Sequence, residues 1–220
     1  MAQLIDLSHR ITSGMETYPG LPVPIVADHL SRESAEEVYG PGLTFQIGLI
    51  TMCTNTGTYI DVPFHRYADG HDLTELDLER VAAVPAICLD RRGRTDVEIS
   101  AADVDGLAGA AVLICTGHSD RWGSDDYNVD HPYLSTEAAE RLVAADVACV
   151  GIDSLNIDST TTGARPVHSA LLGADIPIVE HLTGLAALID TEFTFTAVPP
   201  KIEGAGTFTV RAFATVSEAG

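Results

Sequence analysis

Short runs of β-branched and apolar residues recur along this chain, each bounded by glycine-, proline- or aspartate-rich stretches, and few windows show helical periodicity. That alternation restricts the fold more than any other feature. A core assembled from such runs must be a sheet with a small number of helices packed on it. The pattern places strands at 44–51, 59–62, 84–89, 111–116, 148–152, 176–179, 193–197 and 207–215. Helices are expected after Ser100 (AADVDGLAG) and after Ser135 (TEAAERLVAA). There a serine hydroxyl can cap the first free N–H groups, and Glu137 suits the positive helix start. A third helix begins near His168. The expected fold is α/β with a mixed sheet. The 220 residues suffice for one core and hold no linker, so a single domain over 1–220 is expected.

Residues 116–135 (TGHSDRWGSDDYNVDHPYLS) are too polar and glycine-rich for a regular element, and a loop of that length suits a lid. The closing SEAG is expected to fray. Cys53, Cys88, Cys115 and Cys149 form no C-x-x-C pair, and three of them sit in apolar runs, which reads as a reduced core. Net charge is −20 and Lys201 is the only lysine, so DNA and RNA would be repelled and nucleic acid is excluded as a partner. No window approaches the roughly 18 unbroken apolar residues of a membrane span. The opening MAQLIDLSHR lacks a basic region followed by an apolar stretch, so a cytoplasmic protein without a membrane partner is expected.

The segment 55–65, NTGTYIDVPFH, concentrates groups that do chemistry. In an extended chain Asn55, Tyr59, Asp61 and His65 share one face, and Thr58, Ile60, Val62 and Phe64 the other. Gly57 permits a close approach, and Pro63 ends the strand and stiffens the turn that presents His65. The same pattern also suits an edge strand with a polar solvent face. Downstream, His168 opens a helical patch and Glu180 closes the apolar strand IPIV, where a carboxylate needs a partner. Asp61, His168 and Glu180 are ligand types that suit Zn²⁺ or Mn²⁺, with positions left open for water. His65, whose kind titrates near neutrality, would then serve as general base and later proton donor.

NTGTYIDVPFH resembles the signature H-x-G-T-H-x-D-x-P-x-H of the cyclase family, which includes bacterial kynurenine formamidases and isatin hydrolases. LIDLSHRI followed by TYPGLP, then VGIDSLNIDS, then HSALLGADIPIVEHLTGL, are similar to further segments of that family in the same order. The resemblance implies a swivelling β/β/α fold, a homodimer or homotetramer, and metal-dependent opening of an amide, lactam or lactone bond of a small molecule. By position, Asp61, His168 and Glu180 match metal ligands and His65 the catalytic histidine. The family's two signature histidines are Asn55 and Tyr59 here. An amide oxygen is a weak zinc ligand and a phenol of pKa about 10 rarely becomes one.

Three readings stay open. One divalent cation sits on Asp61, His168 and Glu180, with Asn55 assisting through its carbonyl oxygen. Alternatively, a metal-free isomerase, dehydratase or cyclase uses Asp61, His65 and Glu180, with Tyr59 and Asn55 donating to an oxyanion. In the third, an inactive homologue keeps only the small-molecule pocket. Arg66 could hold a substrate carboxylate, and His118 and Trp122 could close over an aromatic substrate. His181 reads as structural or on the surface, as do His9, His29, His71 and His131. Asp153 and Asp158 suit caps, turns or the support of ligands.

Overall fold

The computed structural model describes residues 2–104 and 108–217. In chain order the strands are β1 (Gln3–Asp6), β2 (Ile25–Leu30), β3 (Ile47–Thr51), β4 (Tyr59–Asp61), β5 (Val84–Asp90), β6 (Glu98–Ile99), β7 (Ala111–Cys115), β8 (Tyr133–Leu134), β9 (Cys149–Ile152), β10 (Ile178–Glu180), β11 (Phe193–Thr196), β12 (Thr207–Thr209) and β13 (Phe213–Val216). The α-helices are α1 (Arg32–Tyr39), α2 (Thr136–Ala144) and α3 (Pro166–Gly173).

Nine strands form one mixed sheet in the order β1-β13-β11-β5-β7-β9-β10-β4-β12. Its centre, β5-β7-β9-β10, is parallel, and both flanks are antiparallel. Consecutive β12 and β13 lie towards opposite ends of that order, yet only residues 210–212 join them. Such a link spans at most about 10 Å, so the sheet must curl until its ends approach. The seam is visible in Leu7 N–H donating to the Ala212 carbonyl, Val210 N–H to the Thr58 carbonyl, and the bridge between Ser8 and Leu182.

Each expected strand has a counterpart with ends displaced by a few residues. The run 207–215 is divided because it changes partners at the seam, from β4 to β11 and β1. The central strands are apolar throughout because both faces are covered. Along β7, Val112 and Ile114 pack under α2 and α3 with Leu142, Val167 and Leu171, while Ala111, Leu113 and Cys115 face the opposite core with Leu182, Leu185 and Phe195. Cys149 and Cys115 are buried there as small apolar groups, and all four cysteines are free thiols.

Ser135 caps α2 as expected, its hydroxyl accepting from Ala138 N–H at 3.1 Å. The helix expected after Ser100 is a single 3₁₀ turn over Ala101–Asp103, and the rest of that expectation includes 105–107, outside the described residues, as does 218–220 of the SEAG tail. Strand β3 answers to the run expected over 44–51, while its partner β2 and helix α1 were not expected. The apolar side chains of these elements, including Ile25, Val26, Leu49 and Ile50, face outwards and carry no core periodicity. Among the described residues no helix is long and apolar enough to cross a membrane.

Replacing Ser135 by alanine removes the α2 cap and is expected to cost about 1 kcal/mol, read as a lower urea midpoint with unchanged slope.

Candidate active site

Strand β4 runs antiparallel between β10 and β12, with Tyr59 opposite Glu180 and Asp61 opposite Ile178. Alternation sends Ile60 and Val62 into the core and turns Tyr59 and Asp61 to the other face, beneath α3. The expected two-faced pattern therefore holds over 59–62 and not over all of 55–65. The chain leaves the strand at Pro63 and makes a 3₁₀ turn, Pro63–His65, that lifts an exposed His65 to the rim. Two glycines make room for that turn. A β-carbon on Gly70 would lie 2.7 Å from the Pro63 carbonyl carbon, and one on Gly206 only 2.3 Å from His65 N.

Asp61 is fully buried, and neither of its carboxylate oxygens has a hydrogen-bond partner. His168 Nε2 lies 3.5 Å from Asp61 Oδ2 and 3.7 Å from Glu180 Oε1. Its Nδ1 is held by Asp158 Oδ2 at 2.6 Å, while Asp158 also accepts from the Val167 and His168 N–H groups. One carboxylate thus caps α3 and fixes the His168 ring, combining two roles that the sequence presented as alternatives. Burial alone would lower the His168 pKa, but Asp158, Asp61 and Glu180 together raise it to about 10.

Glu180 is also fully buried. Its Oε1 accepts from Ile157 N–H at 2.7 Å, and its Oε2 accepts from the Tyr59 hydroxyl at 2.5 Å and from Asn156 Nδ2 at 3.4 Å. Burial and the neighbouring Asp61 charge raise its pKa above the usual carboxylate range, against the lowering effect of His168, Tyr59 and Ile157. Burial, then Glu180 and Asp61, hold the Tyr59 phenol well above its ordinary value, so it stays protonated. Asn55 Oδ1 accepts from Thr207 at 3.0 Å and Thr54 at 3.3 Å. Where the resemblance puts two histidine ligands, this chain has Asn55 bonded to Thr54 and Thr207, and Tyr59 bonded to Glu180. Asn55 therefore does not offer its carbonyl oxygen to a cation, and the Tyr59 proton points at Glu180 instead of an oxyanion.

The group left open is Asp61, His65 and His168, whose ligand-type atoms all lie within 4.8 Å of one another. His65 and His168 line a cleft of about 310 Å³ with Tyr18, Leu21, Asn55, Tyr59, Arg66, Asn156 and Arg165, and Asp61 is buried beside them. Tyr18, Leu21, Asn156 and Arg165 had no place in the sequence reading. Nothing in their local patterns shows that three separate loops meet over one strand.

Trp122 and His118 do not line this cleft. Trp122 stacks on His9 at 4.0 Å between ring centres and meets Tyr127 and His181 edge-on, and His118 Nε2 is 2.8 Å from the Tyr127 carbonyl. The polar loop 116–135 is pinned by this cluster and by Asp153, which accepts from Thr116 and Gly117. His181 is fully buried behind Tyr59, with Nδ1 2.8 Å from the Tyr127 hydroxyl. Burial pushes His9 down to about 4, and burial with repulsion from His9, His131 and His118 pushes His181 down to about 3.

The curled mixed sheet defines a class of α/β proteins known from solved structures. One described as a potential metal-dependent hydrolase with cyclase activity matches with a TM-score of 0.80 and 23% identity, covering 100% of both chains. Isatin hydrolase A from Ralstonia solanacearum matches with a TM-score of 0.82 and 21% identity, over 98% of this chain and 92% of that one. These likenesses establish a common fold. A family model described as putative cyclase matches residues 5–159, and the chain belongs to that family. Among curated relatives, kynurenine formamidase of Maricaulis maris is 26% identical over 216 residues, 96% of this chain and 97% of that one. Kynurenine formamidase of Geobacillus thermodenitrificans is 28% identical over 212 residues, covering 94% and 95%.

Because His9 and His181 take up protons more readily when unfolded, at their ordinary 6.5, their stabilising contribution is complete above pH 6.5 and is lost as the pH falls through about 4 and about 3. Urea midpoints should fall between pH 7 and 5, less steeply for H9Q. Gly206→Ala should cost about 1–3 kcal/mol by crowding the His65 turn. Gly163→Ala, with open space around it, should stay within about 0.5 kcal/mol of the parent by the same measurement.

Proposed function

We propose that this chain hydrolyses a C–N bond, in an amide or lactam of a small molecule bound above Asp61, with one divalent cation, Zn²⁺ or Mn²⁺, held by Asp61 and His168. The observation that carries this reading is the buried Asp61 carboxylate with both oxygens unpartnered, facing an imidazole nitrogen at 3.5 Å. A charge buried in that way calls for a cation. Without one, a proton on His168 faces Asp61, and Asp158, Asp61 and Glu180 together hold the His168 pKa at about 10. The Asp158–His168 bond is the carboxylate–histidine support that orients and strengthens an imidazole ligand.

When bound, such a cation polarises the scissile carbonyl and makes water acidic enough to ionise near neutrality. His65, exposed and within 4.8 Å of the Asp61 and His168 ligand atoms, takes the proton from the attacking water and delivers it to the departing nitrogen. Glu180 Oε1 adds negative charge at 3.7 Å from His168 Nε2, although both Glu180 oxygens already accept hydrogen bonds. Tyr59 positions Glu180 and is not itself a proton donor to substrate. The curated relatives named as formamidases make an arylformamide the first substrate to test.

The hairpin β2–β3 exposes Ile25, Val26, Leu49 and Ile50, and an isolated hairpin of two strands is marginal in water. This supports a homo-oligomer, in which a second copy covers the hairpin. Light scattering after size exclusion should give a mass above 23.3 kDa that falls towards it in I25K/L49K. A monomeric parent would refute this part.

Purified without chelator, the chain should retain about one equivalent of Zn²⁺ or Mn²⁺ by elemental analysis, and D61N should retain much less. Removal of the metal should abolish turnover of formanilide or a related arylformamide, and His65→Ala should lower kcat by at least ~10²-fold. Absence of both metal retention and activation by added Zn²⁺ or Mn²⁺ would sink the reading. Restoring imidazoles in N55H/Y59H should raise the capacity to about two equivalents.

A further inference from the structure

We propose that Arg66 and Arg165 form a binding site for a carboxylate carried by the molecule in the cleft, so that the substrate is a small organic anion. This rests on the proposed reading only in taking the cleft as the place where substrate binds.

The chain has 32 acidic residues against 12 basic ones, so carboxylate partners for an arginine are plentiful. Arg80, Arg91, Arg92 and Arg211 have acidic partners, while Arg10, Arg32, Arg94 and Arg121 have none among the described residues and do not line the cleft. Among the described residues neither Arg66 nor Arg165 has one, and both line the cleft above His65 and His168.

The two guanidinium groups are held in place by neutral acceptors. Arg165 directs Nη1 at the carbonyl oxygens of Ser159, Thr162 and Ala164, at 3.2, 2.8 and 2.8 Å. Among the described residues no acceptor meets its Nε or Nη2. Arg66 donates from Nε to Ser169 Oγ at 3.0 Å, and that hydroxyl donates to the Arg165 carbonyl at 2.8 Å. The terminal nitrogens of Arg66 likewise meet no acceptor among the described residues. Ser169 therefore ties both arginines to the start of α3, one turn from the His168 ring.

A guanidinium edge with two free donors matches the two oxygens of a carboxylate, and anchoring it beforehand lowers the entropy lost on binding. No acidic side chain lines the cleft to compete for these donors. Tyr18 and Leu21 supply the apolar wall against which an aryl or alkyl body would rest. The bond to be cleaved lies over Asp61 and His65, and the carboxylate sits at the rim.

Calorimetric titration with benzoate and with its neutral isostere benzamide, at low ionic strength, tests this directly. Benzoate should bind at least ~10-fold more tightly than benzamide. R66Q and R165Q should each weaken benzoate about tenfold and leave benzamide unchanged. Because Arg165 also braces 159–164, melting curves accompany both variants, and R66Q alone decides if R165Q melts lower. Equal affinities, absence of saturable benzoate binding below about 10 mM, or a preference for phenyl phosphate over benzoate would overturn the assignment. So would a benzoate preference that survives R66Q and disappears in D61N, which would put the carboxylate on the cation site instead. The measurement involves no turnover. A chain that hydrolyses nothing yet binds benzoate through Arg66 loses the hydrolase reading and keeps this site, and an active hydrolase indifferent to Arg66 does the reverse.

Discussion

Asp61 and Glu180 are fully buried on adjacent antiparallel strands, and the surrounding structure is organised around the cost of keeping two carboxylates out of water. The two are treated differently. Glu180 is surrounded by donors from Ile157, Tyr59 and Asn156, which disperse its charge without any cation. Asp61 receives none, so its charge is answered only by the His168 side. Strand register makes the division possible: Tyr59 is paired with Glu180, and Asp61 with an aliphatic residue that offers nothing. The proposed chemistry therefore rests on the carboxylate that the fold leaves unsatisfied.

The parts of the fold that could be read from sequence are those whose side chains face a core. β7 and β9 are continuous apolar runs because sheet and helices cover both faces, and α2 has a serine cap ahead of a periodic stripe. Strand β2 and helix α1 lack such a signal because most of their large apolar side chains stay exposed. The two-residue strands β6 and β8 are too short to show any period.

In the site, Asp61, His65 and His168 were legible because their chemistry is visible in residue type and Pro63 marks the turn. Direction was not legible. Trp122 and His118 sit in a polar loop of the kind that often closes a pocket, and only the three-dimensional arrangement shows them turned inwards onto His9 and Tyr127. Arg165 lies far from Arg66 in sequence and joins it only through the Ser169 hydroxyl. Asn55 and Tyr59 stood out as departures from the family signature. At Tyr59 what replaced the missing ligand, a hydrogen bond to Glu180, depends on a cross-strand pairing that local sequence does not encode.

That bond also constrains how the sequence can change. Tyr59 and Glu180 are both buried and satisfy one another, so altering either strands a polar atom of the other. A histidine at position 59 alone would have no second imidazole at 55 to share a cation, and one at 55 alone would face a phenol. Each single change to histidine is thus uphill, and only a concerted pair supplies two imidazoles together. The arrangement makes positions 55 and 59 interdependent: they can be exchanged for metal-binding side chains as a pair but not one at a time.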